Sequence, residues 1–226
     1  MLALGTLLSL AAVPALAAQT IPSPYRFVET RKEASLLFGV ASPDAGQFGL
    51  GPSSGQDVTA RLGFDVGSAL VLELASYYFL GDRDVQDPRR DEGDRAIGTA
   101  DLDLLGFDGR LRLNLTGHRT WHRLQPSVFV GGGLAFTRNQ DLSVDEAAQI
   151  PSENRFRFGT KFVASLGAGL AFHASETWVV RGDATLRLWK LNTPSGYQNP
   201  ALGLGAVPRD EWVQAPTLSI GIGRRF

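Results

Sequence analysis

The sequence predicts an all-β chain of eight antiparallel strands, joined up and down and closed into a transmembrane β-barrel. Three observations carry that reading. Apolar and polar residues alternate with period two in segment after segment, the signature of strands whose two faces meet different surroundings. The connections between the segments alternate long and short. The apolar face is bulky, while the polar face is charged yet crowded with glycine and other small residues, as a narrow lumen requires.

Composition narrows the classes. The chain has 226 residues, a formal net charge of -1, 26 glycines and no cysteine. That length allows one barrel or one domain with a core. Without cysteine there is neither a disulfide scaffold nor a thiol nucleophile. A near-neutral balance argues against nucleic acid as a partner, since phosphate binding needs a basic excess. Residues 2–16 form an apolar run, and Ala15-Leu16-Ala17 has the small-x-small pattern of a signal-peptide cleavage site. The run is too short to cross a membrane as a helix. No Lys or Arg precedes it, as a start assigned too far downstream would leave it. The expected organisation is a signal peptide at 1–17, a polar lead-in at 18–32 carrying Pro22 and Pro24, and the barrel at 33–226.

The expected strands are 33–41, 57–66, 69–80, 104–116, 123–137, 155–173, 178–191 and 213–226. The first is the weakest, because Leu36 and Leu37 are both apolar. Connections at 42–56, 81–103, 138–154 and 192–212 are long, and 144–149 can make one helical turn within its loop. Those at 67–68, 117–122 and 174–177 are short. Long loops on one side and short turns on the other are the plan of a membrane barrel. An even strand number then returns both ends of the chain to the turn side.

Each segment sorts into two faces. In the second, Val58, Ala60, Leu62 and Phe64 oppose Thr59, Arg61 and Asp65. In the third, Leu70, Leu72, Leu74 and Tyr78 oppose Glu73, Ala75 and Tyr77. The fourth sets Phe107, Leu111, Leu113 and Leu115 against Asp108, Arg110, Arg112 and Asn114. The fifth sets Leu124, Val128, Val130, Leu134 and Phe136 against Arg123, Gln125, Ser127, Gly131 and Gly133. In the sixth, Phe156, Phe158, Phe162, Leu166 and Phe172 oppose Arg157, Gly159, Lys161 and Ser165. The seventh opposes Trp178, Val180 and Leu186 to Arg181, Asp183, Thr185 and Arg187. A soluble lipocalin-like barrel would turn the apolar face inward. The aromatics at the strand ends favour the inverse: Phe172, Trp178 and Phe226 on the turn side and Tyr78, Phe136 and Phe156 on the loop side fit two membrane girdles.

The last segment places Leu218, Ile220, Ile222 and Phe226 on one face, against Thr217, Ser219, Gly221, Gly223 and Arg225. It resembles the terminal strand of bacterial outer-membrane β-barrels, where a final Phe after alternating apolar residues is the assembly signal. Arg224 departs from that pattern, since an apolar residue is usual there; at a membrane edge it can snorkel. The whole mature chain resembles the small eight-stranded outer-membrane proteins of the OmpA/OmpX type, in architecture and terminal Phe rather than in a catalytic motif. The resemblance implies a Gram-negative-type outer membrane, insertion from the periplasm by the barrel-assembly machinery, periplasmic termini, and contact with outer-membrane lipid and lipopolysaccharide. Members of that group serve as structural anchors, adhesins, small porin-like proteins and, in a few branches, lipid A enzymes.

The expected lumen is the main chemical constellation. Inward basic residues are Arg61, Arg110, Arg112, Arg123, Arg157, Lys161, Arg181 and Arg187; inward acids are Asp65, Glu73, Asp108 and Asp183. An eight-stranded interior is filled by side chains, and charges held there must be paired or hydrogen-bonded. This predicts a salt-bridged plug, with Glu73 and Asp183 near Arg61, Arg110 and Arg181. The alternative is a narrow, anion-preferring passage. The basic excess favours it, with room left by Gly131, Gly133, Gly159, Gly167, Gly169, Gly221 and Gly223.

Enzyme signals are poor. Lipid A deacylase barrels use a His and a Ser at the outer leaflet, whereas His173-Ala174-Ser175 falls on a short turn at the other end. No nucleophile with a base and an orienting group can be assembled, and the three histidines read as wet turn residues. His118 and His122 are too isolated from other ligands for zinc. Gly131-Gly132-Gly133 and Gly203-Leu204-Gly205 lack the helix and the Lys-Ser/Thr of a nucleotide loop. The loop 82–95, with six acids and four Arg, lacks EF-hand spacing; it reads as solvated, or as a contact for lipopolysaccharide phosphates. No cofactor or metal is expected. The sequence thus points to a non-enzymatic barrel with a structural or surface-interaction role. A narrow passage for a small solute comes second and an outer-leaflet lipid-modifying enzyme third.

Overall fold

The structure, a computed structural model, describes residues 23–29 and 31–226. The signal peptide expected at 1–17 and the first residues of the lead-in lie outside the described residues. Among the described residues there are ten strands: β1 (Tyr25–Phe27), β2 (Lys32–Ala41), β3 (Pro52–Asp65), β4 (Leu70–Gln86), β5 (Ala96–Asn114), β6 (Arg119–Trp121), β7 (Leu124–Gln140), β8 (Thr160–His173), β9 (Trp178–Asn192) and β10 (Asp210–Arg225), with one short α-helix, α1 (Ser143–Ala147), and three 3-10 turns in the loops. Eight of them close a ring. Each pairs antiparallel with the next, β7 passes to β8, and β10 returns to β2 from Thr217↔Ala41 to Arg225↔Glu33. The two short strands lie outside the ring, β1 on β6 and β6 on the start of β7.

The period-two pattern dictates the facing. Val130, Ile220 and Leu218 are 61, 65 and 66 % exposed on the outside, while Arg110, Glu73 and Arg181 are buried inside. A soluble protein does not expose an apolar surface of this extent; a barrel with lipid outside and polar groups inside does. The hydrogen-bonded ring leaves no free edge, so the backbone polar groups within the band are satisfied internally.

Several strands are longer than expected, β3 among them with its start at Pro52 and not 57, and two of the differences have clear physical reasons. The connection expected at 81–103 is mostly hairpin: β4 and β5 stay paired from Asp82↔Asp101 out to Gln86↔Ala96, leaving only 87–95 as loop. Beneath its charges the alternation continues, because Val85 and Ala100 turn inward onto Ile150, flanked by Ile97, Val144 and Ala148. The sixth strand begins at Thr160 instead of 155. Gly159 sits at φ +67°, a left-handed conformation natural to glycine, and it breaks the alternation. Phe156 and Phe158, expected on the lipid face, therefore turn inward and are buried.

The interior has two storeys. Toward the turns it is ionic. Toward the loops it is a core of Tyr77, Phe79, Leu102, Leu104, Phe156, Phe158, Trp189 and Tyr197, onto which Phe48, Leu204 and Val207 fold from the loops. The lead-in also has structure. β1 pairs with β6, which lies on the start of β7, while β2 stands across the ring from β7.

The facing makes a graded expectation. Val130→Arg, near mid-band, should lower the unfolding free energy in vesicles by about 2–4 kcal/mol, and Leu115→Arg, at the turn end, by about 0–1. Urea titration of the two variants checks the order.

Candidate functional site: the ionic lumen

The inward positions of the ring strands bring six arginines and six carboxylates together among the described residues: Arg61, Arg110, Arg112, Arg181, Arg187 and Arg225 with Glu33, Asp57, Asp65, Glu73, Asp108 and Asp183. All twelve side chains are at most 7 % exposed. Direct opposition across a ladder does not choose the partners. Glu73 stands directly across the β4–β5 ladder from Arg110, yet its carboxylate accepts the ion pair of Arg112 at 2.8 Å. Arg110 folds back on its own strand and donates to Asp108 from Nε at 3.0 Å and Nη2 at 2.9 Å.

Most of the remaining pairs join strands that are not neighbours in the ring; Arg225 and Glu33, opposed on β10 and β2, are the exception. Arg61 on β3 pairs with Asp183 on β9, two intervening strands away around the ring. Arg187 on β9 donates to Asp57 on β3 at 2.8 Å, and Asp57 also accepts the Thr59 hydroxyl at 2.7 Å. Arg181 grips Glu33 with its fork, Nη2 to Oε2 at 2.9 Å. Arg225 stands 3.9 Å from Glu33 and 3.8 Å from Asp65. His118 Nδ1 lies 3.6 Å from Asp65 at the turn rim.

Aromatic rings complete the packing. The Arg187 guanidinium lies over Tyr77 at 3.9 Å from the ring centroid, and Arg110 and Arg61 lie at 5.1 and 5.9 Å from that of Phe129. A desolvated guanidinium on a π-face adds attraction beyond its ion pair. The glycines expected to leave room are where this bulk fits. A Cβ at Gly167 would strike the Phe129 ring, one at Gly169 the Asp183 carboxylate, and one at Gly131 the Arg110 side chain.

Several expectations are corrected. Arg157 is exposed on the outside, because the break at Gly159 reverses the faces before it. Arg123 is exposed in a turn, with His122 and Arg123 at φ +50° and +68°, the two-residue hairpin turn that β6 makes into β7. Lys161 keeps the inward side but stands at the loop rim, where it bonds Asn192. Glu33, Asp57 and Arg225 join the expected set, each buried at an inward position of its strand. With those changes the basic excess disappears. His173 is not a wet turn residue either: it is buried at the end of β8, its Nε2 3.2 Å from Gln125 Oε1.

At the loop end, Arg83 is not solvated. It is buried, ion-paired with Asp145 of α1, and donates to the Asp141 carbonyl at 2.9 Å. Beyond it, Arg89 donates to Asp87 from Nε at 2.9 Å and Nη2 at 2.8 Å, which holds the Asp87 carboxyl below its usual range.

Solved structures with this architecture are known. The outer membrane protein OprG from Pseudomonas aeruginosa superposes with a TM-score of 0.56 at 15% identity, over 90% of this chain and 99% of that one. This is the fold of the small eight-stranded outer-membrane β-barrels. Neisserial surface protein A matches with a TM-score of 0.52 at 12% identity, over 90% of this chain and 98% of its own. At such identities the likeness is one of fold. Neither a family model nor a curated protein matches the sequence.

In this barrel Glu33 serves two arginines. Glu33→Gln leaves Arg181 and Arg225 short of a carboxylate, and the urea-unfolding free energy should fall by about 3–5 kcal/mol. Adding Arg181→Met should recover part of the loss. The Asp87–Arg89 pair sets a pH dependence at the loops. A carboxyl lowered in the folded state stabilises above its ordinary pKa of about 3.9, and that contribution is lost as pH falls through the lowered value. Amide exchange in 87–95, corrected for intrinsic rate, should therefore accelerate below that range, and Asp87→Asn should abolish the acceleration.

Proposed function

We propose that the protein is a non-enzymatic outer-membrane barrel, both termini in the periplasm, whose work is structural or done by its surface loops and whose lumen is plugged. The observation that carries this is the balanced ionic storey, six arginines against six carboxylates with side chains at most 7 % exposed, beneath an aromatic one. A filled interior disfavours a water path for a solute, and charge balance weighs against the anion preference on which a passage rested. The folded loops favour a surface role. The β4–β5 hairpin, α1 and Ile150 form a satellite core, so the outer end presents a fixed face to lipopolysaccharide or to a neighbouring surface. The strand carrying Leu218, Ile220, Ile222 and Phe226 is the proposed signal for the assembly machinery, with Phe226 hydrogen-bonded to Lys32 on β2.

The chemistry of the turn end also favours a non-enzymatic role. His173 faces Gln125, and Ser175 Oγ accepts from the Thr177 and Trp178 amides at 3.3 and 3.0 Å. Both groups are occupied in holding a turn.

Single-channel recording of the refolded protein tests the plug. The wild type should pass no steady current, and Asp183→Asn should destabilise the barrel while leaving it silent. Steady conductance in the wild type would favour the passage.

A further inference from the structure

The short ribbon of β1 and β6 has no part in the lumen, and its two faces differ. Tyr25 stands opposite Trp121, and Phe27 opposite Arg119. Directly opposed residues share a face, so these four point one way, while Arg26 and Thr120 point the other. The back face turns to the barrel: Thr120 is 2 % exposed and lines, with Arg26, Arg123 and His173, a cleft of about 560 Å³ that Phe27 also borders. The front face is bare. Phe27 is 70 % exposed, and Tyr25 and Trp121 are each 49 % exposed. Arg119 lies over Phe27, 4.8 Å from its centroid.

Register ties this front face to the lipid-facing band. Trp121 pairs with Leu124, Leu124 with Phe172, Phe172 with Val180, and Val180 with Ile222. One row of outward side chains thus runs from the barrel wall onto the ribbon. Its position at the turn end puts the aromatics where the hydrocarbon gives way to headgroups, the depth that Trp and Tyr favour. The charge around it suits phosphate: Arg26, Arg31, Lys32, Arg119, Arg123 and Arg224 are exposed at this end, against Glu29 and Glu176.

We propose that the β1–β6 ribbon is an interfacial membrane anchor: Tyr25, Phe27 and Trp121 seat in the headgroup layer of the leaflet on the turn side, and Arg119 meets anionic phospholipid. This rests on the membrane-barrel reading.

The absence of cysteine makes a clean test. An environment-sensitive fluorophore is placed on Phe27→Cys, Arg26→Cys or Ile220→Cys in the full barrel, refolded into vesicles of phosphatidylcholine with or without phosphatidylglycerol and containing nitroxide-labelled lipid. The Phe27 label should emit at shorter wavelength than the Arg26 label and be quenched by headgroup-region nitroxide. Quenching should strengthen with phosphatidylglycerol, and Arg119→Gln should remove that increment. A Phe27 label as wet as the Arg26 label, with the Ile220 label quenched, overturns the anchor and leaves the membrane barrel standing. An unquenched Ile220 label overturns both. Protection of Phe27 that appears only at high protein density assigns the face to a second copy and overturns the lipid anchor.

Discussion

Closing eight strands into a ring inside lipid turns an ordinary amphipathic sheet inside out, and the polar face must then fit a space too narrow for bulk water. A charge there has no solvent to fall back on, so it needs an opposite charge within the ring. Everything else in the interior follows from meeting that need. Arginine dominates the positive side because its planar fork reaches across strands and binds a carboxylate with two donors, as Arg181 does with Glu33 and Arg187 with Asp57. Small residues elsewhere on the inward face make room for those long side chains, and aromatic rings lie against the guanidinium groups.

The ionic storey stops where the loops begin. Above it the interior is filled by Tyr77, Phe79, Trp189 and the phenylalanines that the break at Gly159 turns inward. The aromatic storey does two jobs. It packs buried aromatic and apolar side chains inside the ring on the loop side. It also gives the loops something to fold onto, so Phe48, Tyr197, Leu204 and Val207 pack down. The short charged hairpin beyond them is pinned by a buried pair, Arg83 with Asp145.

Much of this was legible in the chain. The strand count and the alternation of loops and turns came from period two and from punctuation by glycine and polar runs. The lipid and lumen faces followed from the bulk of one side and the charge of the other, so the outward positions of Leu218, Ile220 and Val130 and the inward positions of Arg61, Arg110 and Asp183 could be read without a structure. The misread positions have particular causes. Alternation predicts a face only while the strand is unbroken, and nothing in Phe156-Arg157-Phe158 announces that Gly159 takes a positive φ. The charges of 82–95 masked the alternation of Val85, and the brevity of Tyr25–Phe27 hid a strand that forms only against β6.

What the sequence by itself determined is local: period, face and the size of the side chain at each step, because these depend on a residue and its near neighbours. What the tertiary structure decided is pairing around the ring. Glu73 went to Arg112 and not to Arg110 opposite, and Arg61 reached across to Asp183, because ring closure brings into contact side chains far apart in the chain, and the narrowness of an eight-stranded lumen leaves few alternatives. The charge balance inside is likewise a tertiary fact. It emerges once Arg157 and Arg123 are turned outward and Glu33, Asp57 and Arg225 inward, by a glycine break, a hairpin turn and the closure of β10 on β2.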